Sequence, residues 1–264
     1  MGVLNITPDS FSDGGVFFEP HKAIEHGLRM AEEGADIIDV GGESSRPGSD
    51  PVPLDEELKR VIPVIEELAS RLEIPISVDT YKSQVAERAI EAGAQMVNDI
   101  SGLSFDPQMP AVAARFDTPL IIMHIKGSPK TMQQDPSYED LMGEIIASLR
   151  EGIAKAEQGG VDPHQVIVDP GIGFGKRMQD NLVIINRLSE LNSLGRPLLI
   201  GTSRKSFIGA VLGAEVHQRG IGTMASVAVS ALKGAHIVRV HDVAPIKQTV
   251  DMVDAIINAE EWSR

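Results

Sequence analysis

Gly34-Ala35-Asp36-Ile37-Ile38-Asp39, Gly93-Ala94-Gln95-Met96-Val97-Asn98 and Gly234-Ala235-His236-Ile237-Val238-Arg239 repeat one pattern. Each has glycine and alanine, then a polar residue, an apolar pair and a second polar residue. Glycine suits the left-handed position that ends a helix, and the apolar pair suits a buried strand. The copies begin 59 and 141 residues apart, close to two and four units of roughly 30 to 35 residues, the size of one strand–helix unit.

Outward from these copies, eight short apolar runs lie at 3–6, 37–40, 76–78, 96–97, 120–123, 166–168, 198–200 and 237–240. Segments of helical periodicity alternate with them at 20–33, 54–72, 82–91, 107–116, 138–158, 181–194, 219–233 and 244–260. Eight units in 264 residues leave about 33 each, and eight parallel strands of this kind close into a (β/α)8 TIM barrel, for which about 250 residues is typical. Positions 39, 98 and 239 then fall at the carboxyl ends of the second, fourth and eighth strands. An open doubly wound sheet is the alternative, and it lacks support because no Gly-x-Gly-x-x-Gly follows the first strand. Without a linker or low-complexity stretch, residues 1–264 are expected to form a single α/β domain.

Composition removes several functions. With 24 Lys+Arg against 38 Asp+Glu, a formal charge of −14, the chain is a poor general binder of nucleic acid. The absence of cysteine excludes a thiolate nucleophile, a disulfide framework and a Cys-ligated metal. No His pair has the i, i+4 spacing of a helical zinc site. Apolar runs fall short of the ~20 residues of a membrane span, and the first residues do not read as a secretion signal. The expected address is the cytoplasm, with no membrane or nucleic-acid partner.

In a barrel of this kind the site forms at the carboxyl ends of the strands. Polar residues there are Asn5, Asp9, Asp13, Asp39, Glu43, Arg46, Asp79, Asn98, Asp99, His124, Lys126, Asp169, Ser203, Arg204, Lys205, Arg239 and His241. Any one of them can be a helix cap or a solvated loop residue; the whole ring is harder to dismiss. Ile167-Val168-Asp169-Pro170 places a carboxylate at the end of a buried strand, where desolvation is costly without a partner. Asp79, Asn98, Asp169 and Lys205 suit a flat heterocycle with donor and acceptor edges, such as a 2-amino-4-oxo pyrimidine. Asn5, Arg46, Arg239 and His241 suit a cluster of anionic oxygens such as pyrophosphate, with Asn5 and Asp9 able to offer oxygens to Mg2+. Gly171-Ile172-Gly173-Phe174-Gly175-Lys176 looks like a phosphate loop but lacks the Gly-Lys-Ser/Thr ending. Its glycines instead suit close backbone approach to a ligand, with Phe174 presenting a ring.

These stretches also make the chain similar to the bacterial dihydropteroate synthases. The resemblance runs from the first residues to Val243. It is carried by residues 1–15 (Met-Gly-Val-Leu-Asn-Ile-Thr-Pro-Asp-Ser-Phe-Ser-Asp-Gly-Gly), by residues 39–48 (Asp-Val-Gly-Gly-Glu-Ser-Ser-Arg-Pro-Gly) and by Ser77-Val78-Asp79-Thr80. Asn98-Asp99-Ile100-Ser101-Gly102, Met123-His124, the run from Asp169 to Lys176, Ser203-Arg204-Lys205-Ser206 and Arg239-Val240-His241-Asp242 complete it. Relatives carry several residues before the first stretch, so the first strand is expected to be short or the natural start to lie upstream. Ser45 stands where Thr is usual, losing only a methyl.

The resemblance implies a pterin-binding barrel that joins 6-hydroxymethyl-7,8-dihydropterin pyrophosphate to 4-aminobenzoate, with Mg2+, in folate biosynthesis. It implies that Asp79, Asn98, Asp169, Lys205, Arg239 and Met123 bind the pterin. Asn5, Ser45, Arg46, Arg239 and His241 would bind pyrophosphate, with Asn5 also at the metal. Phe11, Pro47, Phe174, Lys205 and Ser206 would shape the aminobenzoate pocket, where sulfonamides also bind. Asp13, Lys205, Arg239 and His241 are the expected catalytic residues, with Asp13 helping to stabilise a pterin cation after leaving-group-first C–O cleavage. A homodimer is expected. A methyltransferase of the same pterin-binding group would not need Arg46, His241 or the Asn5-Ile6-Thr7-Pro8-Asp9 loop for pyrophosphate; a catalytically silent paralogue would be expected to lose part of the loop set.

Overall fold

The structure, a computed structural model, describes residues 1–7 and 20–260. Eight short strands are β1 (Gly2–Asn5), β2 (Ile38–Gly41), β3 (Ile76–Asp79), β4 (Met96–Asp99), β5 (Leu120–Met123), β6 (Val166–Asp169), β7 (Leu199–Ile200) and β8 (Ile237–Val238). β1 to β6 pair in sequence order and in parallel, as do β7 and β8. Parallel bridges Val168–Leu198 and Gly2–Val240 join β6 to β7 and β8 to β1, closing the ring. The barrel inferred from the repeat is therefore the observed architecture.

The helices are α1 (Pro20–Glu32), α2 (Leu54–Arg71), α3 (Ser83–Glu91), α4 (Met109–Arg115), α5 (Leu141–Gln158), α6 (Met178–Asn186), α7 (Ser206–Leu212), α8 (Gly220–Leu232) and α9 (Val243–Ile257). Among the described residues none is long and apolar enough to cross a membrane. Two elements depart from the periodicity. The expected 181–194 helix is α6 followed by a tighter 3-10 segment, Leu188–Leu194, that ends at left-handed Gly195. α7 was missed because Ser-Phe-Ile-Gly-Ala-Val-Leu has no polar residue after its first and so shows no polar face; Gly213 ends it, with φ of 63°.

Alternation along each strand sorts side chains into two sets. Outward, Ile38, Val40, Val78, Val97, Ile122 and Val168 are fully buried in one cluster with Val61, Ile65 and Leu68 of α2, Val85 of α3 and Leu149 of α5. Each such side chain contributes about 1.5 to 3 kcal/mol, so this outer shell carries the stability. Inward, Met1, Met96, Ile121, Ile167 and Leu199 pack with Ile37 and Ile237 as an apolar plug. Two residues further along the even-numbered strands the inward set turns polar: Asp39, Asn98, Asp169 and Arg239.

Gly34, Gly93 and Gly234, the first residues of the repeat, all have left-handed φ, of 95°, 112° and 99°. A Cβ on Gly93 would also lie 2.6 Å from the Ala69 Cβ. Gly93→Ala is expected to cost about 2 kcal/mol and lower the melting temperature by a few degrees. Gly220→Ala, with open space around its Cβ, stays within about 0.5 kcal/mol of the parent. Equal melting temperatures for the two variants would contradict this reading of the repeat.

Candidate active site

The three equivalent positions of the repeat meet inside the barrel. Asp39, with no exposed surface, accepts through Oδ2 from Asn98 Nδ2 at 3.1 Å and from Arg239 Nε at 2.6 Å. Arg239 turns its other edge to Asp79, Nη2 to Oδ2 at 2.6 Å. A guanidinium thus spans two carboxylates, in the fork geometry that suits Arg and not Lys. Desolvation works against the Arg239 charge, and Asp39 and Asp79 more than offset it, holding the group ionised. Asp39 stood only among the strand-end polar residues and was not assigned to the site. The repeat contained the signal, since equivalent positions on alternate strands of a barrel share a layer.

Asp169 completes the layer. Its Oδ1 accepts from Gly171 N at 2.7 Å, but burial still lifts its carboxyl to about 6, against the pull of that N–H, Lys205, Lys176 and Arg239. Burial lifts Asp79 to about 7, opposed by Arg239 and reinforced by the nearby acids Asp39, Glu57 and Asp99. Asp99 likewise accepts from Ser101 N at 2.7 Å, the turn-capping role open to a strand-end Asp, and burial lifts it to about 6 as well.

Lys205 reaches the same region through a strained turn. Arg204 has φ of 55°, which costs about 1 to 3 kcal/mol. Its backbone is held at both ends, N to Thr223 Oγ1 at 3.1 Å and O from Arg219 Nη1 at 3.0 Å. Lys205 Nζ then lies 4.4 Å from the centre of the Phe174 ring. Burial lowers its ammonium to about 8, with Arg239 adding to the fall and Asp169 and Asp79 opposing it. Phe174 packs with Met123, Ile100 and Met132, so the residues expected on pterin and benzoate share one wall. Ser206, the first residue of α7, is exposed beside Lys205.

His241 is held neutral. Burial and neighbouring Arg239, Arg204 and Lys205 lower its imidazole to about 4. Ser203 Oγ accepts from His241 N at 3.2 Å and lies 3.0 Å from Nδ1. In the tautomer in which the hydroxyl donates to Nδ1, Nε2–H is the ring's free donor.

Two glycines of the run also hold two loops together. Gly171 and Gly175 have left-handed φ, and a Cβ on either would strike the backbone of the fifth loop at His124 O or Lys126 O. The close approach is thus between two loops. Lys176 fastens it: fully enclosed, Nζ donates to Phe174 O at 3.0 Å and His124 O at 3.3 Å and lies 2.8 Å from His124 Nδ1. Desolvation lowers Lys176 to about 7 and His124 to about 3, so the imidazole is the neutral partner. Lys126, also at a strand end, pairs with Glu144 at 3.1 Å, on the helix that its own loop leads into.

The remaining expected residues sit around this centre. Asn5 ends β1 opposite Gly41, which pairs with Asp79 on its other side. Ser45 is half-buried, while Arg46 and Pro47 are exposed on the second loop, where Gly48 N donates to Pro129 O at 3.0 Å. The structure does not bring Arg46 into the polar layer. Phe11 and Asp13 lie outside the described residues, as does Asp9. Among the described residues no group of three or more acids or histidines could hold a metal ion. Asn5 supplies a single hard oxygen, a donor set that fits Mg2+ carried chiefly by phosphate oxygens and water.

This geometry has relatives. Residues 1–241 match the family model described as pterin binding enzyme. A dihydropteroate synthase of Bacillus subtilis (strain 168) is 47% identical over 258 residues, covering 98% of this chain and 88% of that protein. The Yersinia pestis dihydropteroate synthase in complex with a sulfonamide drug superposes with a TM-score of 0.92 at 42% identity, covering 97% of this chain and 93% of that one. The Xanthomonas albilineans dihydropteroate synthase in complex with 7,8-dihydropteroate gives 0.87 at 41%, covering 97% and 92%. With its alternate-strand polar layer intact inside a barrel matched along nearly its whole length, the chain belongs to the pterin binding enzyme family, among the dihydropteroate synthases.

Proposed function

We propose that this chain forms 7,8-dihydropteroate and pyrophosphate from 6-hydroxymethyl-7,8-dihydropterin pyrophosphate and 4-aminobenzoate, in the cytoplasm. One observation carries the reading: three carboxylates, one amide and two cations converge at the carboxyl end of the barrel. Asp169 accepts from the pterin 2-amino group and the adjacent ring N–H, and Lys205 donates to the 4-oxo group. Asp79 and Asn98 meet the far edge of the ring. Arg239, fixed by two carboxylates, stacks on the ring and reaches toward the pyrophosphate, where neutral His241 donates from Nε2 and Arg46 closes from the second loop.

The exocyclic C–O bond breaks first, and its electron pair leaves with pyrophosphate. The positive charge spreads into the electron-rich dihydropterin. Asp39, Asp79 and Asp169 against Arg239 and Lys205 leave one net negative charge beneath the ring, preorganised where positive charge develops. The aniline nitrogen attacks the methylene carbon, forms the C–N bond and releases its proton. No protein nucleophile is needed. Mg2+, with Asn5 as protein ligand, would neutralise charge on the departing pyrophosphate. Phe174, Lys205, Ser206 and Pro47, with Phe11 from the first loop, form the aminobenzoate side. Asp13, also in that loop, is the residue proposed to stabilise the cation.

A homodimer is part of this proposal. Val229 and Leu232 on α8 and Met252, Ile256 and Ile257 on α9 are 40 to 62% exposed, an apolar face that suits a second copy; sedimentation tests it, and a monomer mass would contradict it.

Incubation with both substrates and Mg2+ is expected to release pyrophosphate and dihydropteroate in equal amounts. Folded protein that yields neither would contradict the assignment. The pH profile of kcat/KM is a second test. Protonation of Asp79 near 7 or Asp169 near 6 removes acceptors for the pterin donors, and deprotonation of Lys205 near 8 removes a donor. Activity is expected to rise through the first two values and fall through the third, the free enzyme's groups being those reported by kcat/KM. A profile flat across that interval would contradict the roles given to these three residues.

A further inference from the structure

Lys82 follows β3, away from the polar layer, yet its ammonium lies between two carboxylates on different elements. Nζ is 2.6 Å from Glu43 Oε2 and also bonds Glu57 Oε2. Glu57, on α2, is 1% exposed and accepts from Thr80 Oγ1 at 2.7 Å. Thr80 follows Asp79, and its N donates to Asn98 O at 3.1 Å. Glu43 begins the second loop; its carboxylate also accepts from Tyr81 OH at 2.7 Å and from Val52 N at 2.9 Å, where that loop ends. The network therefore runs from the backbone of the pterin-edge residues, through a buried acid and one lysine, to both ends of the loop that carries Ser45, Arg46 and Pro47. Arg60 Nη1 donates to Gly42 O at 2.9 Å, and a Cβ on Gly42 would lie 2.8 Å from Val61, so the root of the loop is seated on α2 as well.

We infer that Lys82 is a positioning residue that sets the second loop in register with the pterin edge, so that Arg46 meets pyrophosphate and Pro47 meets 4-aminobenzoate. The inference rests on the proposed roles of Arg46 and Pro47. Its physical basis is the imbalance of one ammonium against two carboxylates. Without Lys82 the two acids repel at close range. Glu57 is buried in a packed helix, so Glu43 is the one that yields, and it takes both ends of the loop with it.

The test compares Lys82→Met, Lys82→Arg and Arg46→Ala in three measurements: inhibition by inorganic pyrophosphate, KM for 4-aminobenzoate and the calorimetric Kd of pyrophosphate-free 6-hydroxymethylpterin. Lys82→Met is expected to weaken pyrophosphate and raise the aminobenzoate KM by about tenfold or more, to leave the pterin Kd within about twofold, and to be largely restored in Lys82→Arg. Should Lys82→Met fail to fold, Lys82→Gln, whose neutral amide still donates to one acid while both acids stay charged, carries the same expectation. If Arg46→Ala weakens pyrophosphate while folded Lys82→Met does not, the positioning role is overturned. It is also overturned if pterin affinity falls in parallel with pyrophosphate, the sign of a general structural defect. If Arg46→Ala has no effect on pyrophosphate, the loop's proposed role fails, and this inference fails with it.

Discussion

Arg239 held between Asp39 and Asp79 is the contact around which the barrel mouth is organised. Taking three charges out of water is expensive, and the mutual attraction repays it only when the geometry is good and the remaining donors and acceptors are occupied. Here Asp39 Oδ2 accepts twice, from Arg239 and Asn98, and the guanidinium uses both edges. Asp39 Oδ1 and the neighbouring Ser77 Oγ have no hydrogen-bond partner. Removing Arg239 leaves two buried carboxylates uncompensated, and removing Asp39 leaves the guanidinium held by Asp79 alone.

The same layer works against the fold in order to serve the ligand. A carboxyl raised on folding contributes stability below its unfolded pKa and loses that contribution as pH rises through the folded value. With Asp79 raised to about 7 and Asp169 to about 6, the site at neutral pH and above carries carboxylates that the folded chain does not favour. Donors on a bound heterocycle relieve that cost, which turns it into binding energy. The apolar plug beneath and the fully buried strand–helix shell around it supply the stability that tolerates this. Loop contacts extend the order outward: Lys176 ties the fifth and sixth loops, and Lys82 ties the second loop to the third strand.

The barrel and its polar layer were legible because both are periodic. Glycine at the helix end and a polar residue five positions later recur on alternate strands, and the structure uses both features as read. α7 was not legible because it has no polar residue after Ser206 and so no polar face, and the 3-10 ending of α6 because its pattern reads as a continuing α-helix. Contacts between loops have no period at all. Nothing in the order of residues announces that Glu57, in a helix, faces Lys82 and Glu43, or that Lys176 closes on His124 instead of on a phosphate. His241 is legible as a strand-end residue, whereas its neutrality is not, because it depends on burial and on Arg239, Arg204 and Lys205 gathered from elsewhere in the chain.

Replacing Asp39 with Asn keeps the side chain's shape, removes the charge that anchors Arg239 and leaves the identity of every residue expected to contact substrate unchanged. Calorimetric titration of the Asp39→Asn variant with 6-hydroxymethylpterin is therefore the most direct measurement. Loss of a charge-assisted hydrogen bond worth about 1.5 to 3 kcal/mol should weaken binding by about tenfold or more, in a protein whose far-UV circular dichroism matches the parent. Unchanged pterin affinity in that variant would show that Arg239 and Asn98 hold their places without Asp39, and that the barrel mouth is not built on this ion pair.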